Sequence, residues 1–196
     1  MRKKSHISLA RYIVKNTSDT NLKKHKFSFY LGSILPDLKP SFLYKKHEIT
    51  GTYGDVKHSI HKLIHGKTHE SVKKKHKYYL NLGQVTHYVA DYFTFPHNKS
   101  YPGGLREHCS YEEDLKQKMR RFLKTKEAGL LHAVKMEFHT PEALYDFIEK
   151  QHEHYLTKKL NVEEDIQHII AVNHHMVEGI AQLFEKAKDH HRLKKS

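Results

Sequence analysis

Apolar residues recur at helical spacing along most of the chain, and they alternate as in a β-strand over no more than a few positions. The longest helical stripe covers residues 72–95 and stops at Pro96. We therefore predict an all-α fold in which residues 1–196 form a single bundle of about seven helices. The helices are expected near 7–14, 27–35, 53–63, 72–95, 111–123, 141–156 and 161–188, with loops at 36–53 and 97–106.

Short polar motifs indicate where some of these helices begin. Thr140 followed by Pro141 is typical of a cap with proline at the first helical position. Asn161 followed three residues later by Glu164 has the spacing of a capping box. Ser5 is predicted to cap the first helix, because its side chain can accept a hydrogen bond from the first turn.

Composition narrows the classes of partner and site. The net charge is +13, with 35 Lys and Arg against 22 Asp and Glu. Such an excess favours polyanionic partners, namely nucleic acid, anionic lipid surfaces or phosphorylated substrates, although lysines that solvate helix faces explain most of it. Because Cys109 is the sole cysteine, no disulfide can form within the chain, and a metal must be held by nitrogen and oxygen ligands.

The first residues are basic, as in a signal peptide, but the segment that follows is interrupted by Arg11 and Lys15. No run approaches the ~18 apolar residues that a spanning helix needs. We therefore expect a cytoplasmic protein without a transmembrane segment, in which Met1 is the natural first residue.

Twenty histidines are present, and two of them begin the same motif. His87 precedes Asp91 by four positions, so both point to one face of a helix and can reach a common metal ion. His108 precedes Glu112 in the same way, and His97 lies in the loop between the two pairs. Two such pairs on adjacent helices resemble the multinuclear metal sites of helix bundles.

Context favours a metal site over a surface ion pair. A single His-x-x-x-carboxylate pair is more often a salt bridge on a helix surface. His87 and Asp91, however, lie among apolar residues, where ionisable groups are costly unless they are paired or metal-bound. Upstream, His6 opens the first predicted helix, Asp37 follows an apolar run, and His47 comes ten residues later.

The order of these residues resembles the bacterial zinc-dependent phospholipase C family over about residues 1–115. It is more distantly similar to the secreted single-strand nucleases that share a trinuclear zinc site. The resemblance implies an all-α bundle that holds two to three zinc ions and hydrolyses phosphodiesters. The most specific part of it is the spacing from His87 to Asp91 to His97.

The resemblance also implies a role for each residue. One zinc would be held by His47, His87 and Asp91. A second would be held by His97, His108 and Glu112, and a third by His6 and Asp91, with Asp91 bridging two ions. The amine and carbonyl of Met1 would complete the third site, and Asp37 would be the general base for the attacking water.

Several alternatives stay open at this point. His58 and His61 compete with His47, because the loop after Asp37 varies in length. Leu38 stands where choline-preferring relatives have an aromatic residue, so choline recognition is not supported. The substrate is expected to be a phosphate ester, such as a phospholipid at a membrane surface. The rival functions are a trinuclear-zinc nuclease acting on single-stranded nucleic acid and a non-catalytic, basic metal-binding module.

Two further pairs of histidines are assigned no metal role. His152 and His154 lie among polar residues and are predicted to be exposed. His174 and His175 lie in the last helix, where a place in the core or on the surface is favoured over metal binding.

Overall fold

The computed structural model describes residues 1–38, 47–66 and 72–193, and within these ranges it contains helices and turns but no β-strand. The all-α class is therefore confirmed. About seven helices were predicted, and nine are found in the described ranges. The numbers are close, because two of the nine have only five residues each. In chain order they are α1 (Lys3–Asn16), α2 (Thr20–Lys24), α3 (Lys26–Ile34), α4 (Ile49–His65), α5 (Val72–Tyr92), α6 (Leu105–Phe122), α7 (Lys126–Leu130), α8 (Pro141–Leu156) and α9 (Val162–Leu193).

Two of the predicted caps are confirmed. The Thr140 side chain accepts a hydrogen bond from the backbone N–H of Ala143, and α8 begins at the next residue, Pro141. Asn161 accepts from the backbone N–H of Glu164 and so begins α9. The short helix α2 was not predicted, because five residues give no periodic stripe.

The predicted cap at Ser5 is wrong. Helix α1 begins at Lys3, and Ser5 lies inside it, 1% exposed, with its backbone N–H donating to the Arg2 carbonyl at 2.8 Å. The reason lies in the chain terminus, because Met1 is 4% exposed and is held in the interior. An anchored terminus allows the helix to start two residues before the predicted cap and four residues before its first apolar position, Ile7.

Three predicted boundaries also shift. Helix α4 begins at Ile49, inside the predicted loop 36–53, of which residues 39–46 lie outside the described residues. Helix α6 begins at Leu105, before the predicted start at 111. The earlier start was missed because its first turns are mostly polar and exposed and so carry no apolar stripe. Helix α5 ends at Tyr92, and a short 3-10 turn then carries the chain to His97.

The core lies between α5 and α9, which touch each other and most of the other helices. Helix α9 packs against α4, α5, α6 and α8, while α5 packs against α1, α3 and α4. One contiguous cluster of buried apolar side chains connects them, including Leu9 of α1, Ile60 of α4, Val89 of α5 and Ile169 of α9. The organisation of residues 1–196 as one domain stays a prediction.

None of the described helices combines the length and the apolar character required to cross a bilayer. This agrees with the absence of a long apolar run in the sequence. The cytoplasmic location stays a prediction.

Helices α3 and α5 approach each other closely through two glycines. A Cβ on Gly32 would overlap the Leu80 carbonyl oxygen, and a Cβ on Gly83 would overlap the Phe29 carbonyl oxygen. Gly83 is one turn before His87, and Gly32 precedes Ser33, whose carbonyl oxygen lies 2.9 Å from Nδ1 of His87. The glycine contact therefore brings the α3 backbone close enough to orient a candidate ligand.

Replacing Gly32 with Ala is expected to lower the free energy of unfolding by about 1–3 kcal/mol, because backbone on both helices must move. Gly54 of α4 is the matched control, since a Cβ there meets nothing within 4 Å and its φ is not positive. Gly54→Ala should raise stability by about 0.5–1 kcal/mol through helix propensity. Urea denaturation of both variants measures the difference, and equal stability of the two would contradict the close approach.

Candidate metal centre

Asp91 lies at the centre of the candidate site. His87 and Asp91 lie one turn apart on α5 and are both 0% exposed. Oδ2 of Asp91 lies 3.3 Å from Nε2 of His87 and 2.8 Å from Nδ1 of His47. Oδ1 lies 3.3 Å from Nε2 of His6, which comes from α1. One buried carboxylate therefore meets three imidazoles from three parts of the chain.

The chain terminus enters the same cluster. The α-amine of Met1 donates to Oδ1 of Asp91 at 2.6 Å. It also lies 3.0 Å from Nε2 of His97 and 3.1 Å from Oε1 of Glu112. The amine thus sits between the carboxylate of α5 and the groups contributed by α6 and the turn before it.

A more exposed group lies on the α6 side. Glu112 Oε1 is 3.2 Å from Nε2 of His97 and 3.1 Å from Nε2 of His108. His108 and Glu112 share one face of α6, while His97 ends the 3-10 turn. Their ligand atoms lie within 4.8 Å of one another, so the three can surround one ion.

Asp37 completes the cluster from the turn that follows α3. Its Oδ1 lies 3.5 Å from Nε2 of His87, and that nitrogen lies 3.1 Å from Nδ1 of His47. Two further groups of this spacing therefore exist among the described residues, Asp37 with His47 and His87, and His6 with His87 and Asp91. The Asp37 carboxylate is therefore close enough to His47 and His87 to bind the same metal ion. A general base that acts only on a water molecule does not need to lie so close to them.

The site fits a cation that accepts nitrogen and oxygen donors. Both ring nitrogens of His6 are buried without a hydrogen-bond partner, and the ring stacks on His87 at 3.8 Å. With Nδ1 of His87 donating to the Ser33 carbonyl, Nε2 keeps its lone pair and faces Asp37, His47 and Asp91. Imidazole and carboxylate donors without thiolate suit zinc.

The electrostatics of the cluster favour bound cations as well. Burial and the neighbouring His87 lower the pKa of His6 to about 3, so this ring is neutral at pH 7 and its lone pair can bind a metal. Burial alone would raise the pKa of Asp91, yet the Met1 amine and the histidines hold it well below its usual range. Burial raises the pKa of Asp37. The charge of Asp91 is therefore compensated by cationic and histidine partners, whereas the Asp37 carboxylate is stabilised less.

A cavity of about 770 Å³ opens onto the cluster. Met1 and several basic side chains line it, and the basic side chains can attract a phosphate group. The lining also contains the candidate ligands of α6 and the turn before it. Residues that line it include Arg2, Lys3, Lys4, Asp37, His47, His97, Leu105, His108, Glu112 and Lys116.

Cys109 lines the cavity beside His108, and two of the other histidines lie apart from the cluster. His58 and His61 are exposed on α4, whereas His47 is 5% exposed and contacts Asp91, so the geometry favours His47. Cys109 is exposed and belongs to none of the candidate ligand groups. The predicted exposure of His152 is wrong, because the ring is buried against Phe93.

Asp165 was missed by the sequence reasoning. It is fully buried and accepts hydrogen bonds from the Phe95 backbone N–H, the Tyr111 hydroxyl and the Tyr155 hydroxyl at 2.8, 2.9 and 2.6 Å. Phe95 lies two residues before His97, and Tyr111 precedes Glu112, so Asp165 fixes both segments. Asp165 was overlooked because an acidic residue in the first turn of a helix is ordinary, and Asp165 lies in the first turn of α9. The sequence feature that could have indicated its burial is its place next to the apolar residue Ile166, which belongs to the buried face of α9.

A second cavity, of about 560 Å³, lies between the end of α1, α5 and α9 and contains none of the predicted ligands. His174 lines it, is 6% exposed and stacks on His132 at 3.8 Å. The expectation of a core or surface place for His174 is thus confirmed, while the pair belongs to none of the metal-like groups of the described residues.

Comparison with known proteins identifies the family. The sequence model described as zinc dependent phospholipase C matches residues 5–162, which is most of the chain and includes every candidate ligand except Met1. No curated protein and no solved structure matches the chain significantly. The matched segment, the all-helical fold and the cluster of histidines and carboxylates agree with one another, and the chain belongs to the zinc-dependent phospholipase C family.

Proposed function

We propose that this protein is a zinc-dependent phosphoric diester hydrolase that cleaves a phospholipid or a smaller phosphodiester. The observation that carries the proposal is the convergence of all the predicted ligand groups in one cluster that opens onto a cavity. Nδ1 of His6, buried without a partner, adds support, because such a group costs free energy unless something binds it. Family membership supports zinc dependence and hydrolysis in general.

The proposed ligand sets follow the contacts of the cluster. His47, His87 and Asp91 would hold one ion, and His97, His108 and Glu112 would hold a second. A third would be held by His6, Asp91 and Met1. Asp91 suits the bridging role, because each of its two carboxylate oxygens faces a different group of donors.

Zinc ions bound in this way supply Lewis-acid polarisation of the phosphoryl oxygens and activation of a water for attack. Asp37 accepts the proton of the attacking water at its carboxylate, and its place at the edge of the cavity gives it access to solvent. Arg2, Lys3 and Lys4 orient the phosphate group from the cavity wall. Burial of Asp91 and His87 excludes water from the inner side of the cluster.

The charge of +13 favours a second candidate, a nuclease acting on single-stranded nucleic acid through the same metal cluster. A basic metal-binding module without turnover is the third reading. It fits an Asp37 that is a metal ligand, since Asp37 lies 3.5 Å from His87, and is disfavoured by an Asp37 that only handles the attacking water.

A turnover panel on zinc-loaded protein distinguishes these functions. Phospholipids, short phosphodiesters and single-stranded nucleic acid are supplied in parallel, and release of the products is measured. Hydrolysis of phospholipid or a small diester is expected. Cleavage of nucleic acid alone would assign the nuclease function, and absence of turnover on every substrate would favour the binding module.

Asp91→Asn is expected to remove more than one zinc ion, because the substitution takes away a charge that two sites share. Wild-type protein should hold two to three zinc per chain in elemental analysis after metal loading and desalting. Asp114→Asn is the matched control, since Asp114 is a surface residue that pairs with Lys118. Wild-type zinc content in the Asp91 variant, or less than one zinc in the wild type, would contradict the proposed cluster.

Asp37→Asn is expected to keep its zinc and to slow turnover by ~10²–10⁴, the usual contribution of general acid–base catalysis. The amide has nearly the shape of the carboxylate but cannot accept the proton. Zinc content and kcat are measured on the same preparation. Loss of metal together with activity would make Asp37 a ligand, as its distance to His87 also allows.

Extra residues ahead of Met1 test the amine as a ligand. The amine is buried against Asp91, so two additional residues have no space there. The extended protein is expected to lose about one zinc and most activity while keeping its helical circular dichroism. Protein with the same extension at its C-terminus is the control, and mass spectrometry establishes that Met1 is present with a free amine. Full zinc content in the N-terminally extended protein would show that Met1 binds no ion.

A further inference from the structure

The second cavity, between the end of α1, α5 and α9, has an acidic lining although the chain as a whole carries a charge of +13. Among the described residues that line it, the carboxylates are Asp19, Glu178 and Glu185, and the only lysine or arginine is Lys135. Glu185 has its own cation, since it pairs with Lys188 at 3.1 Å. Asp19 and Glu178 form no ion pair with a cationic side chain in the part of the chain that the structure describes.

Neutral donors hold these two carboxylates in place. Glu178 accepts hydrogen bonds from the hydroxyls of Thr17 and Ser18 and, at 3.1 Å, from the Ser18 backbone N–H. Asp19 accepts from the Tyr79 hydroxyl at 3.1 Å and caps the start of α2. Burial alone would raise the pKa of Glu178, but its hydrogen bonds hold it below its usual range, so the carboxylate is charged at pH 7. Negative charges fixed in this way are prepared to receive a cation.

Two other side chains of the lining have buried polar atoms without a partner. His174 is 6% exposed, and neither ring nitrogen makes a hydrogen bond of normal geometry, although the Asn16 carbonyl lies nearby. Burial and the neighbouring His132 lower the pKa of His174 to about 4, so the ring is neutral at pH 7 and keeps an acceptor nitrogen. Oε1 of Gln182 is also without a partner, while Nε2 donates to the Met136 carbonyl. Such groups cost free energy unless something binds them.

The shape of the cavity suits a small organic molecule better than a metal ion. Its volume of about 560 Å³ lies in the usual range for small-molecule sites. In the described ranges, the groups of three ligand atoms that could surround one ion include no residue of this cavity. Tyr78 and Phe184 also line it, with ring centres 5.7 Å apart, and aromatic rings attract cations.

We propose that the second cavity binds a small organic cation with primary amino groups, which donate to Glu178, Asp19 and Gln182 while the carbon chain lies against the aromatic rings. The atoms that lack partners include acceptors, so the ligand needs N–H donors, which a quaternary ammonium ion does not have. The carboxylate of Glu178 has about four acceptor positions, and three hydrogen bonds use three of them. The inference is independent of the proposed function, because the cavity contains none of the candidate zinc ligands.

Isothermal titration calorimetry of the zinc-loaded protein with diaminobutane, which has an amine at each end, is the first test. Binding of one molecule per chain is expected, and its affinity should fall as salt is added, because the attraction is between charges. Butanediol has the same length without the charge and should bind at least tenfold more weakly. The titration measures no turnover, so it decides on the cavity whether or not the protein hydrolyses a phosphodiester.

Two variants locate the binding. Glu178→Gln should weaken it by about tenfold or more, because a charge-assisted hydrogen bond is lost. Glu149→Gln is the matched control, since Glu149 lies on α8 outside the cavity and pairs with Lys57, and it should bind as the wild type does. Ala181→Phe places a bulky ring in the lining without removing an acceptor, and should abolish binding. Circular dichroism establishes that each variant keeps its helices, so a folding defect in one of them still leaves the other as a test.

Four results would overturn the proposal. They are a wild type that does not bind diaminobutane, equal binding of butanediol, wild-type affinity in a folded Glu178→Gln or Ala181→Phe protein, and an equal loss in Glu149→Gln. An additional zinc ion that elemental analysis finds in the wild type and not in Glu178→Gln would assign the cavity to a metal instead. Loss of amine binding with unchanged zinc content in the two cavity variants is the result that supports an organic cation.

Discussion

The buried carboxylate of Asp91 is the constraint on which the site depends. A charge that is 0% exposed is costly unless it is compensated by partners of opposite charge or by donors. The chain supplies these from distant places: the terminal amine of Met1, His6 of α1 and His47 before α4. Satisfying one acid thereby brings together segments that are 90 residues apart, and the same convergence creates the candidate metal cluster.

Residues around the cluster orient the side chains that contact Asp91, in addition to packing the core. The contact between Gly32 and Gly83 lets the α3 backbone reach His87 and present the Ser33 carbonyl to its ring. On the opposite side Asp165 fixes the segments that carry His97 and Glu112 through two short hydrogen bonds. The candidate ligands are thus oriented by residues that themselves touch no candidate metal position, as is common in metal sites.

The fold class could be predicted because helices leave a periodic trace, and the same spacing pointed to the His–carboxylate pairs of α5 and α6. The other candidate ligands were implied by the family resemblance rather than by periodicity. Helices produce apolar stripes, and His87 with Asp91 repeats the spacing of one helical turn. The start of α1 was missed because it depends on a tertiary contact of Met1. Ser5 is a residue type that commonly caps helices, but here it lies inside the helix. The hydrogen-bond hub at Asp165 was missed for a similar reason, since its three donors come from separate parts of the chain.

The cluster has an inner and an outer side, and their burial implies different physical roles. His6, His87 and Asp91 are at most 1% exposed, so groups that bind there are part of the core and contribute to the stability of α1 against α5. His97, His108 and Glu112 are partly exposed at the cavity and can meet a substrate phosphate directly. Asp91 connects the two sides through the Met1 amine, which contacts both carboxylates. The chain terminus therefore links α1 to the carboxylates of both α5 and α6.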